Sequence, residues 1–146
     1  SEKALEFARL NAKINGLENR IRFFHGDLFA PLRSLNPSLE GTVDLVMSNP
    51  PYISAEDIPG LQPEVKDYEP RIALDGGKEG LDYYERIIPE SAKFLKNGGS
   101  LALEIGAGQA PDVCEIITGT KRFDSIEILL DAAGIERVII SRKNNG

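Results

Sequence analysis

The chain has 146 residues, of which 41% are hydrophobic and 27% charged, enough apolar material for one core. We therefore expect a single domain over residues 1–146. Seventeen Lys and Arg against 23 Asp and Glu give a formal net charge of −6, opposite to that of most proteins that bind nucleic acid phosphates. No apolar run long enough for a membrane span and no signal peptide occur, which predicts a cytoplasmic protein without a membrane partner. One Cys and one His exclude a Cys/His zinc site, so no metal is expected.

The first third of the chain reads as a helix followed by two strands. Apolar positions recur at helical spacing over residues 1–15, and Ser1 is placed to cap the start. Ile21–His25 is short and rich in β-formers, and Val43–Met47 is a near-continuous apolar run. Turn residues follow both segments, so both are predicted as buried strands. Residues 31–42, rich in Pro, Ser, Asn and Gly, are predicted as a loop with one short helical turn.

The remainder contains a long loop and then more regular elements. Residues 52–80 hold three Pro and four Gly, and a loop of this length in a small domain is usually functional or mobile. Residues 81–96 return to helical spacing, with Pro89 expected at a kink or break. The predicted elements after them are a strand at Ser100–Ile105, a helix at Pro111–Ile117, and an antiparallel pair of strands at Ser125–Leu130 and Arg137–Ser141.

This order predicts an α/β fold with a mainly parallel sheet, helices on both of its faces and an antiparallel hairpin at one edge. In such sheets ligands bind beyond the carboxyl ends of the strands. Asp27, Asn49 and Glu104 all fall at or near those ends. We therefore expect the functional site at this edge.

The segment Ser48-Asn49-Pro50-Pro51-Tyr52 combines two oxygen acceptors, a rigid backbone and a flat ring. The carbonyls of Asn49 (side chain) and Pro50 (main chain) can each accept an N–H of an NH2 group on a planar carbon. Such a nitrogen is a poor nucleophile, so orienting it toward an electrophilic methyl group accelerates methylation. Two prolines restrict the backbone, and the Tyr52 ring offers a flat apolar face. The alternative is a simple turn that ends a strand, since Asn and Pro are common in turns.

The Asn-Pro-Pro-Tyr (NPPY) motif is similar to the signature of amino-methylating class I methyltransferases. The wider pattern resembles the HemK/PrmC family of protein-(glutamine-N5) methyltransferases, which modify class I peptide chain release factors in translation termination. The similarity extends from Ser1 to about Arg142, and Tyr68–Pro70 and Gly76–Asp82 favour this family over its DNA-modifying relatives. The other matching segments are Ala4–Ala12, Gly26–Phe29 and Leu103–Gly106.

The resemblance implies S-adenosyl-L-methionine as the cofactor. Asp27 would accept a hydrogen bond from the adenine amino group, Leu28 would lie against the adenine ring, and Asn49 would bridge cofactor and substrate. Glu69 would organise the loop over the site, and Glu104 would support Asn49 or the methionine end of the cofactor. The alternatives are a turn residue for Asp27 and ordinary packing for Leu28.

The resemblance also implies the substrate pocket. Asn49, Pro50, Pro51 and Tyr52 would bind the substrate amide, and Asn49, Pro50 and Tyr52 would take part in the transfer itself. Methyl transfer to the side-chain amide nitrogen of a release factor glutamine is the expected reaction.

Two features of the family pattern are absent from these residues: the glycine-rich loop after the first strand and the acidic residue that holds the cofactor ribose. The sequence is therefore expected to be a catalytic-domain fragment without the amino-terminal βαβ part of the methyltransferase fold. On its own, such a chain is expected to be weakly active or inactive.

Two other hypotheses stay open. An N6-adenine or other amino-methylating enzyme of DNA or RNA would use the same motif, although the acidic net charge makes nucleic acid a poor substrate for this chain. The chain alone could also be a binding domain that has lost catalysis.

Overall fold

The computed structural model describes residues 1–35 and 38–145, and the chain divides into two compact units, Ser1–Leu39 and Glu40–Gly146. The single domain expected over residues 1–146 stays a prediction. In the described ranges, no helix has both the length and the apolar character needed to cross a bilayer.

The first unit begins with the predicted helix, α1 (Glu2–Ile14). Ser1 caps it, because the Ser1 Oγ accepts a hydrogen bond from the Ala4 N–H at 3.2 Å. The short helical turn expected in the following loop is also present, as the four-residue helix α2 (Ala30–Arg33). Both predictions are confirmed.

The strand predicted at Ile21–His25 is wrong. These residues have no regular structure, and none of them is fully buried. Two of the aromatic β-formers contact cations instead: the Arg9 guanidinium lies 6.0 Å from the Phe23 ring centre, and that of Arg22 lies 5.0 Å from the Phe24 ring centre. A strand forms only when another strand completes its hydrogen bonds, and none in the described residues pairs with this segment.

The second unit contains a four-stranded sheet with strand order β1-β2-β4-β3. β1 and β2 are parallel, whereas β4 is antiparallel to both β2 and β3. The predicted hairpin is thus confirmed. One of the three pairings is parallel, because Ile21–His25 does not add the further parallel strand that was expected. The strands are β1 (Val43–Ser48), β2 (Leu95–Glu104), β3 (Phe123–Leu130) and β4 (Glu136–Lys143).

β1 is correctly predicted as a strand, but the prediction that it is buried is wrong. Leu45 is 48% exposed and Met47 73% exposed. β1 pairs with β2 on one side only, and it lies at an edge of the sheet. A continuous apolar run does not by itself distinguish a central strand from an edge strand.

The segment of residues 52–80 connects β1 to the next long helix and is folded back on itself. Its ends are joined by a parallel bridge between Ile53 and Asp75, with the Ile53 N–H donating to the Leu74 carbonyl at 3.0 Å. This closure explains how a long connection holds a defined shape near the sheet edge. It contains the short helix α3 (Pro63–Lys66) and two 3-10 turns, Ile58–Gly60 and Arg71–Ala73.

Two long helices, α4 (Asp82–Phe94) and α5 (Ala110–Gly119), contact each other and the sheet, and both were predicted. α4 continues through Pro89, so the prediction of a helix break at this residue is wrong. The buried residues on both sides of the proline hold the helix together despite one lost backbone hydrogen bond. Helices on a second face of the sheet stay a prediction. The core between these helices and the sheet includes Tyr84, Ile87, Ile88, Phe94, Leu101, Leu103, Val113, Ile117 and Ile139.

Candidate active site

The carboxyl ends of β1 and β2 lie side by side, because Ser48 pairs with Leu103 in the parallel register. The next residue of each strand sequence, Asn49 and Glu104, therefore reaches the same edge of the sheet, as expected. Both residues line one cavity of about 240 Å³. The rest of its wall is mostly apolar and includes Met47, Ala102 and Val138.

The first two residues of the NPPY motif differ in their surroundings. Asn49 is exposed at the cavity, whereas Pro50 is buried and anchors the corner. Within residues 1–35 and 38–145, neither the Asn49 side chain nor the Pro50 carbonyl has a hydrogen-bond partner. The Asn49 side chain is thus available to an external N–H donor at the cavity, whereas the unengaged Pro50 carbonyl belongs to a buried residue.

Tyr52 is half-buried, and its hydroxyl donates to Glu104 Oε1 at 3.4 Å. Burial, and then the negative charge of Glu104, raise the pKa of Tyr52, while Arg137 opposes them. The main-chain carbonyl of Glu104 accepts a second hydrogen bond at 2.8 Å from Tyr84, whose pKa is also raised by burial. Glu104 therefore contacts Tyr52. Its expected support of Asn49 or of the methionine end of the cofactor stays a prediction.

The main chain of Tyr52 is held by Gln109, the residue that precedes α5. Gln109 Nε2 donates to the Tyr52 carbonyl at 3.0 Å and to the Gly80 carbonyl at 3.4 Å. Gln109 Oε1 accepts the Gly106 N–H at 2.8 Å. One side-chain amide thus joins the motif to the end of the 52–80 segment and to the turn after β2.

Glycines pack closely against the same corner. A Cβ at Gly76 would lie 2.8 Å from the Pro51 carbonyl oxygen, and one at Gly80 would clash with the Tyr52 carbonyl oxygen. A Cβ at Gly106 would lie 3.1 Å from the Tyr52 ring. These three positions admit only glycine without a shift of the motif.

The residues predicted to bind adenine lie in the other unit, Ser1–Leu39. Asp27 is exposed, and its carbonyl accepts the Ala30 N–H at 3.0 Å in the turn before α2. Leu28 is half-buried with φ of 46°, a left-handed conformation that is uncommon for a non-glycine residue and frequent at functional sites. Their cofactor roles stay predictions, as does the loop role of Glu69, which is exposed.

The sequence interpretation missed Gln109 and Tyr84. Tyr84 was assigned only to the apolar face of a helix, and nothing local indicates that its hydroxyl reaches β2. Gln109 gave a weak signal, because Gln is not a favoured helix N-cap residue, and here its side chain does not cap α5.

Curated relatives of the chain carry the name of one enzyme, although no family model matches it. The chain is 43% identical over 144 residues to the release factor glutamine methyltransferase of Thermodesulfovibrio yellowstonii, and the match covers 99% of this chain and 49% of that protein. The enzyme of the same name from Gloeobacter violaceus is 41% identical over 141 residues, which are 97% of this chain and 47% of the relative.

The chain is a homologue of the release factor glutamine methyltransferases. It spans about half the length of the curated relatives it matches. The matched half includes the NPPY motif and the residues around it.

Solved structures confirm the fold. A methyltransferase from Pyrococcus furiosus superposes with a TM-score of 0.65 at 21% identity, covering 99% of this chain and 59% of that one. A putative DNA modification methylase from Thermus thermophilus, solved with S-adenosyl-L-methionine, gives a TM-score of 0.51 at 21% identity, covering 83% of this chain and 52% of that one. The fold is therefore that of class I S-adenosylmethionine-dependent methyltransferases, as predicted.

Proposed function

We propose that the protein containing this chain transfers a methyl group from S-adenosyl-L-methionine to the side-chain amide nitrogen of a glutamine in class I peptide chain release factors. The observation that supports this most directly is the unengaged Asn49 side chain at the cavity, followed in the sequence by the Pro50 carbonyl, which also has no hydrogen-bond partner among the described residues. The sequence similarity to enzymes named for this reaction agrees with it.

The NPPY corner fits a primary amide as substrate. An amide NH2 has two N–H donors, and the acceptors of Asn49 and Pro50 match them one to one. Holding both N–H groups orients the nitrogen and favours its pyramidal form, in which the lone pair can form the new N–C bond as the bond between the methyl carbon and the sulfonium sulfur breaks. The bond electrons stay on the sulfur, and the neutral thioether S-adenosylhomocysteine is the leaving group. The Tyr52 ring packs against the flat amide, and one N–H proton then leaves to water.

The residues of the first unit fit the adenine end of the cofactor by their chemistry. The exposed Asp27 carboxylate can accept the adenine amino group, and half-buried Leu28 offers an apolar surface beside it. S-adenosylmethionine supplies an electrophilic methyl group on a sulfonium sulfur, so no metal is needed to activate it.

The protein partner proposed is the glutamine-bearing loop of a release factor, and the proposed compartment is the cytoplasm, where release factors act. Neither a membrane nor a nucleic acid is a proposed partner. The acidic net charge of −6 agrees with a protein substrate, because binding to phosphates favours a basic surface.

The test uses the complete protein with radiolabelled S-adenosylmethionine and three acceptors in parallel: a release factor, the same factor with its target Gln→Ala, and DNA or RNA. We expect label on the unmodified factor alone. Equal label on the Gln→Ala factor rejects the glutamine assignment, and label only on nucleic acid replaces it with the amino-methylation of bases.

A further inference from the structure

The Gln109 side chain occupies a position where both ends of its amide are used. Its oxygen accepts from Gly106, and its nitrogen donates to the carbonyls of Tyr52 and Gly80. A flipped amide would place its NH2 group against the Gly106 N–H and its oxygen against the carbonyls of Tyr52 and Gly80. The three backbone partners therefore fix the orientation of this amide.

From this arrangement we propose that Gln109 is a positioning residue for methyl transfer: it holds the Tyr52 backbone, and through it the NPPY corner, in the reactive geometry. The proposal rests on the proposed function of that corner. Gln109 does not itself face the cavity that Asn49 and Glu104 line.

No other side chain reproduces these contacts. Glu keeps the acceptor for the Gly106 N–H but presents a second acceptor to the Tyr52 carbonyl. Lys supplies donors without an acceptor, and Asn is shorter by one methylene. The position needs one donor and one acceptor at the end of a side chain of this length, and glutamine supplies both.

The backbone around the amide leaves no room for an alternative arrangement. A Cβ at Gly80 would meet Gln109 Nε2 at 2.7 Å, and one at Gly106 would meet Gln109 Oε1 at 2.8 Å. Gly80 also has φ of 75°, a conformation that favours glycine. The glycines thus let the backbone approach close enough for the amide to bridge it.

Tyr52 is consequently held at two points, its carbonyl by Gln109 and its hydroxyl by Glu104. Because Pro50 and Pro51 stiffen the chain before it, a fixed Tyr52 also fixes the acceptors that precede it. Loss of the Gln109 donor would let the corner move. A displacement of about 1 Å at a reacting centre can lower the rate roughly 100-fold.

The experiment compares Gln109→Glu with wild type in the complete protein, using labelled S-adenosylmethionine and a release factor. We expect kcat to fall about 10- to 100-fold, while the KM for the release factor and the Kd for the cofactor change little. Because a protonated carboxyl group regains an O–H donor, the kcat of the variant relative to wild type should rise as the pH is lowered. Asn97→Asp is the matched control, since Asn97 donates its amide to the Asn145 carbonyl at the far end of β2.

A kcat of Gln109→Glu within about twofold of wild type overturns the proposal. The proposal is also overturned if the loss of activity is fully explained by a smaller folded fraction, measured by circular dichroism. Should Gln109→Glu not fold, Gln109→Asn gives the second test, and wild-type kcat in folded Gln109→Asn also overturns it. Failure of the proposed function is distinct: wild type would then label another acceptor, on which the same kcat comparison can be made.

Discussion

The Tyr52 hydroxyl lies 3.4 Å from Oε1 of Glu104, a residue 52 positions later in the sequence. This distance is longer than the usual 2.7–2.8 Å of an O–H···O hydrogen bond, so the contact is weak and the ring carries most of the role of Tyr52. The pair links the NPPY motif to β2.

Substitutions at Tyr52 should therefore distinguish the role of its ring from the role of its hydroxyl. We expect Tyr52→Phe to keep kcat within about 10-fold of wild type and Tyr52→Ala to lower it about 100-fold, because only the latter removes the flat face of the pocket. Steady-state kinetics with release factor as acceptor measure both. Equal losses in the two variants would show that the hydroxyl, and not the ring, is required.

The negative charge of Glu104 should be visible in the titration of Tyr52. Burial and Glu104 both raise the pKa of Tyr52, so Glu104→Gln should lower that pKa toward its ordinary value without reaching it. An ultraviolet difference titration of each protein against its Tyr52→Phe counterpart isolates this one of the four tyrosines. An unchanged pKa in Glu104→Gln would contradict the contact.

Asn49 should matter for chemistry far more than for folding. Because it is exposed, Asn49→Ala should change the free energy of unfolding by no more than about 0.5 kcal/mol. Loss of one acceptor for the substrate N–H should lower kcat roughly 100- to 1,000-fold. Urea unfolding and methyl transfer measured on the same preparation test both expectations, and a parallel loss of stability and activity would count against them.

Gly80 and Gly134 form a matched pair for the glycine requirement. Both have positive φ, 75° and 78°, but a Cβ at Gly80 would clash with Tyr52 and one at Gly134 would meet nothing within 4 Å. Gly134→Ala should cost about 1 kcal/mol of unfolding free energy, from its conformation alone. Gly80→Ala should cost about 3 kcal/mol and also lower kcat. Equal costs by urea unfolding would mean that the close approach to Tyr52 is unimportant.

Tyr84 predicts a loss of stability at alkaline pH. The pKa of Tyr84 is raised in the folded protein. Its contribution to the free energy of unfolding is therefore complete below about pH 10, the pKa of tyrosine in the unfolded chain, and is lost as the pH rises from there through the folded pKa. Tyr84→Phe should flatten this decline. At neutral pH it should cost about 1 kcal/mol, because the hydrogen bond to the Glu104 carbonyl is lost. Urea unfolding as a function of pH measures both, with the partly exposed neighbour Tyr83→Phe as control.

Elements specified by local signals could be predicted from the sequence. The cap at Ser1, the helical spacing of α4 and the short connection between β3 and β4 act within a few residues, and each gave the correct element. The NPPY corner was likewise predicted at the end of a strand, because an apolar run, an Asn and two prolines are adjacent in sequence.

What the sequence did not reveal depends on partners distant in the chain. Ile21–His25 has strand-forming residues but no neighbouring strand among those described, and β1 is apolar yet lies at an edge. Gln109 reaches Tyr52 across 57 residues, and a Gln before a helix does not indicate which distant residue it contacts. Composition and spacing thus determined the helices, the hairpin and the place of the motif at the end of a strand. Strand pairing and the contacts that hold the motif followed from tertiary packing, because each needs a hydrogen-bond partner that only folding brings near.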